Sequence, residues 1–150
     1  MRILAIDHGT VRMGLAISDE LGMLAHPLDF LPAEPMADFL DALRKLLRER
    51  EVSLILVGMP RNMDGSYGPA AQKVQEFVHL LRETLVTPVR TWDERLTSVQ
   101  AHRMLAERGT REKERRGRVD STAAAVLLQS YLDSELAAGG PATPGVPSGP

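Results

Sequence analysis

Acidic residues stand at the ends of two apolar runs, where an α/β protein places its reactive groups. Asp7 follows the run that starts at Ile3, and Asp93 and Glu94 follow the short run after Pro88. In open α/β sheets, ligands gather at the carboxyl ends of the strands. We therefore expect Asp7 and one or both of the later acids to face one cleft.

A third acid, Asp120, falls on the inner stripe of a predicted helix. At about 100° per residue, Asp120 shares one helical meridian with Ala124, Leu127 and Tyr131. A carboxylate on the core-facing side of a helix is costly unless it is paired or bound to a cation. The pattern predicts that Asp120 joins the acids at the strand ends.

Three converging carboxylates favour a metal site, because like charges resist joint ionisation. A hard divalent cation such as Mg²⁺ relieves that repulsion and accepts oxygen ligands. Two such ions about 4 Å apart activate water and stabilise a leaving oxygen in phosphodiester hydrolysis. The pattern thus predicts metal-assisted hydrolysis of a phosphodiester.

Each acid also has a simpler explanation. Asp120 is a favourable helix N-cap, and Asp93 or Glu94 would stabilise the start of the next helix through its dipole. Asp7 precedes His8 and Gly9, and an aspartate at such a position commonly forms hydrogen bonds within a turn. His8 either lines the site or belongs to that turn. Spacing alone does not choose between Asp93 and Glu94.

Basic residues accompany the acids and predict phosphate contacts on both sides of a scissile bond. Arg12, Arg61 and Arg95 lie in predicted loops beside the carboxylates. A second group precedes Asp120 and forms either a solvated loop or a basic arm that contacts phosphates. This group consists of Arg111, Lys113, Arg115, Arg116 and Arg118.

The elements that must position these residues follow from the apolar patterning. Strands are predicted over 3–6, 13–18, 23–31, 53–58 and 89–92, with Pro27 favouring an edge strand or a bulge. Helices are predicted to open at Pro35 and Pro69 and to span 97–108, after a capping box at Thr97, and 119–137. This order predicts an α/β fold with a mixed five-stranded sheet flanked by helices on both faces.

Composition limits the class of protein. The chain has 150 residues and a formal net charge of −2, and it contains no cysteine, which excludes disulfides and thiolate zinc sites. No apolar run approaches the ~20 residues that span a bilayer, so we expect a cytoplasmic protein without a membrane partner. Eight of the last twelve residues are Gly or Pro. We expect a folded domain over 1–138 and a disordered tail over 139–150.

Four segments resemble the YqgF/RuvX family of Holliday-junction resolvases and pre-16S rRNA nucleases. They are IDHGTVRMGLA (6–16), VGMPRNMDGS (57–66), DERLTS (93–98) and VDSTAAAVLLQSYL (119–132). The resemblance runs from residue 1 to about 136. It implies an RNase H-like fold and a nuclease that depends on Mg²⁺ or Mn²⁺, and it selects Glu94 over Asp93. The implied catalytic and metal-binding residues are Asp7, Glu94 and Asp120.

The same resemblance implies a substrate and an assembly. The substrate would be a four-way DNA junction, the 5′ end of precursor 16S rRNA, or both, and two active sites would require a homodimer. Related resolvases often carry a fourth carboxylate near the last one, where this chain has Ala123. That departure leaves open a module that binds structured nucleic acid without cutting it. The Asp7 turn also resembles the phosphate turn of actin-like ATPases, but that fold needs a second domain and a second such turn.

Overall fold

The computed structural model describes residues 1–97 and 122–138. Its strands are β1 (Arg2–Asp7), β2 (Arg12–Ser18), β3 (Ala25–Pro32), β4 (Val52–Met59) and β5 (Val89–Asp93). They form one sheet in the order β3-β2-β1-β4-β5. The β1–β2 and β2–β3 pairs are antiparallel, whereas β1–β4 and β4–β5 are parallel. The predicted mixed five-stranded sheet is confirmed.

Three helices accompany the sheet in this part of the chain: α1 (Met36–Glu49), α2 (Pro69–Thr84) and α3 (Thr122–Ala137). Pro35 has extended backbone and is the N-cap of α1 rather than its first residue. A single 3₁₀ turn, Glu94–Leu96, follows β5. The helix predicted over 97–108 lies outside the described residues except for Thr97, and so does the start of the helix predicted from 119.

Alternation along β1 divides the core into two layers. Leu4 and Ile6 are fully buried in the apolar cluster that α1 and α2 cover. Ile3 and Ala5 point to the opposite face and join the cluster under α3. Helices therefore pack on both faces of the sheet, as predicted. Asp7 lies on the same face of the sheet as Ile3 and Ala5, because residues two apart along a strand share a face.

The antiparallel half of the sheet is closed by the edge strand β3. Pro27 lies in this edge strand, which is the first of the two positions that the proline predicted. Pro27 itself pairs regularly with Ala16, and the register of the β2–β3 pair shifts further along, between Leu28 and Leu31. The amide of Gln129, which is 1% exposed, ties α3 to this edge. Its oxygen accepts from the Ala25 N–H at 2.9 Å, and its nitrogen donates to the Met23 carbonyl at 3.0 Å.

Two predictions concern the chain as a whole. The limit of the folded domain at residue 138 and the disordered tail over 139–150 stay predictions, because 139–150 lie outside the described residues. No helix within 1–97 or 122–138 is both long and apolar enough to cross a membrane.

Candidate active site

Asp7 ends the central strand β1 and lies between two clefts. One cleft, of about 440 Å³, is bounded by Asp7, Gly58 and Glu94 and by the first turns of α2. The other, of about 370 Å³, is bounded by Asp7, Arg12 and the start of α3. Asp7 is half-buried. Burial raises the pKa of its carboxyl, and the neighbouring His8 partly opposes that rise.

Glu94 reaches the same place from β5, two strands away. β5 runs parallel to β4, and Asp93 is level with Met59. Glu94 is therefore the first residue past the carboxyl end of the strand. Its side chain occupies the space that a side chain at Gly58 would fill: a Cβ there would lie 3.1 Å from Glu94 Oε1. The glycine at the end of β4 makes room for the carboxylate supplied by β5.

The charge of Asp7 acts on Glu94. Burial is the main cause that raises the pKa of Glu94, and repulsion from Asp7 and then Asp93 raises it further. Within residues 1–97 and 122–138, neither Asp7 nor Glu94 forms an ion pair with a basic side chain. The two carboxylates therefore lie close together without direct neutralisation by an ion pair of the described chain.

Asp93 has a different role, although it is adjacent to Glu94. Its carboxylate accepts from the Arg95 backbone N–H at 2.9 Å, which caps the 3₁₀ turn, and from Arg95 Nη2 at 2.8 Å. Arg61 Nη1 lies 3.6 Å from the same carboxylate. The hydrogen bond from Arg95 is the main cause that lowers the pKa of Asp93. Asp93 thus fixes the turn, and Glu94 carries the unpaired charge.

Further bonds hold the backbone of this turn. The Thr97 hydroxyl donates to the Glu94 carbonyl at 3.0 Å. The Ser130 hydroxyl of α3 donates to the Leu96 carbonyl at 2.7 Å. The position of Glu94 is therefore fixed at both ends of the 3₁₀ turn and from the helix that covers this face of the sheet.

The start of α3 contributes small side chains to the site. Ala123 and Ala124 line the cleft beside Asp7, and Leu127 packs where a Cβ at Gly58 would lie, at 3.1 Å. Ala124, Leu127 and Tyr131 of the predicted inner stripe are buried, but burial does not single out that stripe, because every residue from 124 to 132 is buried. Asp120, the third predicted ligand, lies outside the described residues. No group of three or more potential ligands (His, Asp or Glu) occurs within 1–97 and 122–138.

The predicted phosphate-binding residues differ in their surroundings. Arg12 lies over the Phe30 ring, 4.3 Å from its centroid, and lines the smaller cleft. Arg61 and Arg95 both contact Asp93, and Arg61 also donates to the Gly65 carbonyl and lies over Tyr67. The other predicted phosphate-binding residues lie outside the described residues. They are Arg111, Lys113, Arg115, Arg116 and Arg118.

Several cleft residues were not predicted from the sequence. Gly58, Thr10 and Lys73 line the larger cleft together with Asp7. Lys73 could have been predicted as a cleft residue from its position one helical turn after Pro69, the first residue of α2. His8 also lines this cleft, and its ring lies 5.0 Å from that of Phe77. The structure thus favours the first of the two roles considered for His8.

Sequence comparisons show to which family the chain belongs. A family model described as RuvX, Holliday junction resolvase, matches residues 1–134. A protein of Halothermothrix orenii named "Putative pre-16S rRNA nuclease" is 44% identical over 133 residues, which cover 89% of this chain and 95% of that protein. A protein of the same name from Clostridium novyi is 41% identical over 134 residues, covering 89% and 99%.

Solved structures share the fold at low sequence identity. Thermus thermophilus RuvC in complex with a Holliday junction substrate has a TM-score of 0.54 and 16% identity, covering 91% of this chain and 96% of that one. The Fowlpox virus resolvase in complex with Holliday junction DNA has a TM-score of 0.53 and 13% identity, covering 89% and 98%. These likenesses establish the RNase H-like fold. The family match and the identity to its relatives show that the chain belongs to the RuvX family of nucleases.

Proposed function

We propose that the chain is a divalent-metal-dependent endonuclease that hydrolyses phosphodiester bonds in structured nucleic acid. One observation carries the proposal. Asp7 and Glu94, from two separate strand ends, are half-buried side by side, and neither forms an ion pair with a described residue. Such an arrangement is costly for a fold and suits a cation as its missing partner.

The donor set fits Mg²⁺ or Mn²⁺. Both side chains offer carboxylate oxygens, which hard divalent ions prefer. We propose Asp120 as the third ligand. Ala123 and Ala124 support this assignment, because they line the cleft beside Asp7 and Asp120 precedes them by only three and four residues. Asp7, Glu94 and Asp120 are then both the metal-binding and the catalytic residues.

Divalent ions held by these carboxylates supply Lewis-acid activation of water and neutralise the charge that develops on the leaving oxygen. The chain's own part is positioning. Asp93 and its two arginines fix the turn that carries Glu94, and Gly58 leaves the space for its carboxylate. Partial burial keeps water from screening Asp7 and Glu94, so their charges act strongly on a cation.

The substrate we propose is a four-way DNA junction, precursor 16S rRNA, or both. The description of the family and the names of the relatives support these two. Arg12, Arg61 and Arg95 are proposed to contact its phosphates, together with the basic residues between 111 and 118. Arg12 is the best placed, because Arg61 and Arg95 are already bonded to Asp93. We also propose a homodimer, because two active sites would match a substrate that is cleaved at two positions. Light scattering tests this by measuring the molar mass of the protein in solution.

The test is a cleavage panel with four-way junction DNA, duplex DNA and precursor rRNA, each with Mg²⁺, Mn²⁺ or chelator. We expect metal-dependent cleavage of a structured substrate by the wild type. Asp7→Asn and Glu94→Gln should each abolish it. Asp41→Asn is the matched control, because Asp41 is an exposed acid on α1 that pairs only with Arg44 among the described residues.

Two results would contradict the nuclease proposal. Equal cleavage by Asp7→Asn would place the activity in a contaminant or at another site. Binding with ordinary salt dependence but no cleavage under either ion would favour the alternative, a non-catalytic module for structured nucleic acid. Ala123, where related resolvases often carry a fourth carboxylate, is the feature that favours this alternative.

A further inference from the structure

Two of the arginines that the sequence predicts to contact phosphate already have partners in the folded chain. Arg95 donates three side-chain hydrogen bonds to Asp93, one at 3.2 Å to Oδ1 and two at 3.1 and 2.8 Å to Oδ2. Arg61 lies 3.6 Å from the same Oδ2. Arg61 also donates to the Gly65 carbonyl at 2.9 Å. Part of the donor capacity of both arginines is thus used to hold the turn that carries Glu94 and the loop at Gly65.

Lys73 is a cation of the same cleft with no such bond. It lies on α2 one turn after Pro69 and lines the cleft of about 440 Å³ together with Asp7 and Glu94. No ion pair of Lys73 occurs in the part of the chain that the structure describes. Its neighbours in the helix, Ala71 and Val74, are buried, whereas Lys73 itself is exposed.

Lys73 lines the larger cleft together with His8, the residue that follows Asp7 directly. Pro69 and Ala70, from the first turn of α2, line the same wall. Lys73 therefore lies on the side of the carboxylate site that α2 covers.

Arg12 has the corresponding place on the other side. It lines the smaller cleft, which shares Asp7 and Thr10 with the larger one. The two clefts thus flank Asp7, and each contains one cation that forms no ion pair with a described residue. A polyanionic strand that crosses Asp7 would meet Arg12 on one side and Lys73 on the other.

We propose that Lys73 binds the phosphodiester backbone of the substrate next to the scissile phosphate, on the α2 side of the carboxylates. The strand then runs from the α2 cleft, across Asp7, towards Arg12 on β2. This inference rests on the proposed nuclease function. It adds the path of the nucleic-acid strand through the two clefts, and it adds Lys73 as a positioning residue.

The experiment measures binding in the full-length Asp7→Asn chain, so that cleavage does not interfere. Three further substitutions are made one at a time in the Asp7→Asn chain: Lys73→Ala, Lys73→Arg and Lys45→Ala. The affinity of each for four-way junction DNA and for precursor rRNA is measured by fluorescence anisotropy over a series of salt concentrations. Lys45 is the matched control, since it is an exposed lysine on α1 and its loss changes the net charge equally. Thermal melts verify that each variant is folded.

We expect Lys73→Ala to weaken binding roughly tenfold near 0.1 M salt and to lower the salt slope by about one, as the loss of one phosphate contact does. Lys73→Arg should retain most of the affinity, and Lys45→Ala should match the parent. In the chain with Asp7 intact, Lys73→Ala should raise KM more than it lowers kcat.

Equal affinities and slopes for Lys73→Ala and Lys45→Ala would overturn the inference even if the wild type cleaves. Absence of cleavage by the wild type would instead contradict the nuclease proposal. The comparison of binding between the two lysine variants does not depend on cleavage and can still be made in that case. A loss of slope with one of the two nucleic acids alone supports the inference for that substrate.

Discussion

At the scale of single residues, the site depends on two carboxylates that the fold holds against their own repulsion. Burial raises the pKa values of Asp7 and Glu94, and repulsion from Asp7 and Asp93 raises that of Glu94 further. In the metal-free protein, their ionised forms therefore destabilise the folded state. That penalty grows as the pH rises through the raised pKa values and is absent below the ordinary values of 3.8 and 4.5.

Neutralising either acid should stabilise the metal-free protein while abolishing cleavage. At pH 7 in chelator, Asp7→Asn and Glu94→Gln should each melt roughly 2–4 °C above the wild type, the shift that about 1 kcal/mol produces at this size. The gain should shrink as the pH approaches about 4, where the wild-type acids become protonated. Calorimetric melts across pH measure it. A lower melting temperature than the wild type at pH 7 would contradict the charge repulsion inferred here.

Gly58 offers a test that leaves every charge in place. A Cβ at this position lies 3.1 Å from Glu94 Oε1 and 3.1 Å from Leu127 Cδ2, so Gly58→Ala must displace one or both flexible side chains. Because small misplacements of a catalytic group are costly, we expect kcat to fall by at least about tenfold in a protein that still folds. Unchanged kcat would show that the carboxylate of Glu94 does not need this space.

At the scale of elements, the 3₁₀ turn after β5 converts a strand end into a fixed support for Glu94. Asp93 caps the turn and holds Arg95 and Arg61, while α3 binds it from the other side through Ser130. Sequence patterning predicted the strand and the acids. It did not separate the supporting acid from the reactive one, because that difference depends on arginine contacts formed only in the folded chain.

Removing the cap should therefore lower both stability and activity. Asp93→Ala loses the bond to the Arg95 N–H, and loss of such a cap costs about 1 kcal/mol. We expect a lower midpoint in urea and a lower kcat, because the turn then holds Glu94 less firmly. Asp41→Ala, which removes an exposed helix acid, is the control. A kcat equal to that of the wild type would show that the cap has no part in positioning.

The link between α3 and the edge strand is a separate element-scale contact. Gln129→Leu removes the acceptor of the Ala25 N–H and the donor to the Met23 carbonyl. Leaving such groups without partners costs about 1–3 kcal/mol. Urea unfolding measures the loss. Gln75→Leu, at an exposed position of α2, should change stability by no more than about 0.5 kcal/mol, and an equal effect of both changes would contradict the role of Gln129.

At the scale of the whole molecule, the sheet and its layers were predictable because apolar periodicity and breaker residues agree along the chain. The runs at β1 and β4 are buried on both faces, and Pro27 marks the edge strand. The meeting of Asp7 and Glu94 followed from the rule that strand ends share a cleft. Gly58 and Lys73 were not predicted, because their importance lies in what they face across the sheet edge.

The tail provides a prediction about the domain. Residues 139–150 contain eight Gly or Pro residues and no charge, so they have little to bury. A chain that ends at residue 138 should keep the melting temperature and the cleavage rate of the full chain. A melting temperature several degrees lower would mean that the tail packs on the domain.

We propose that Asp7 and Glu94 belong to one metal site, and direct titration of Mn²⁺ tests this claim without any substrate. Isothermal calorimetry on the wild type should show binding that Asp7→Asn and Glu94→Gln each abolish or weaken by more than about tenfold, while Asp41→Asn binds as the wild type does. Wild-type affinity in Glu94→Gln would contradict the claim, because the carboxylate supplied by β5 would then have no part in holding the ion.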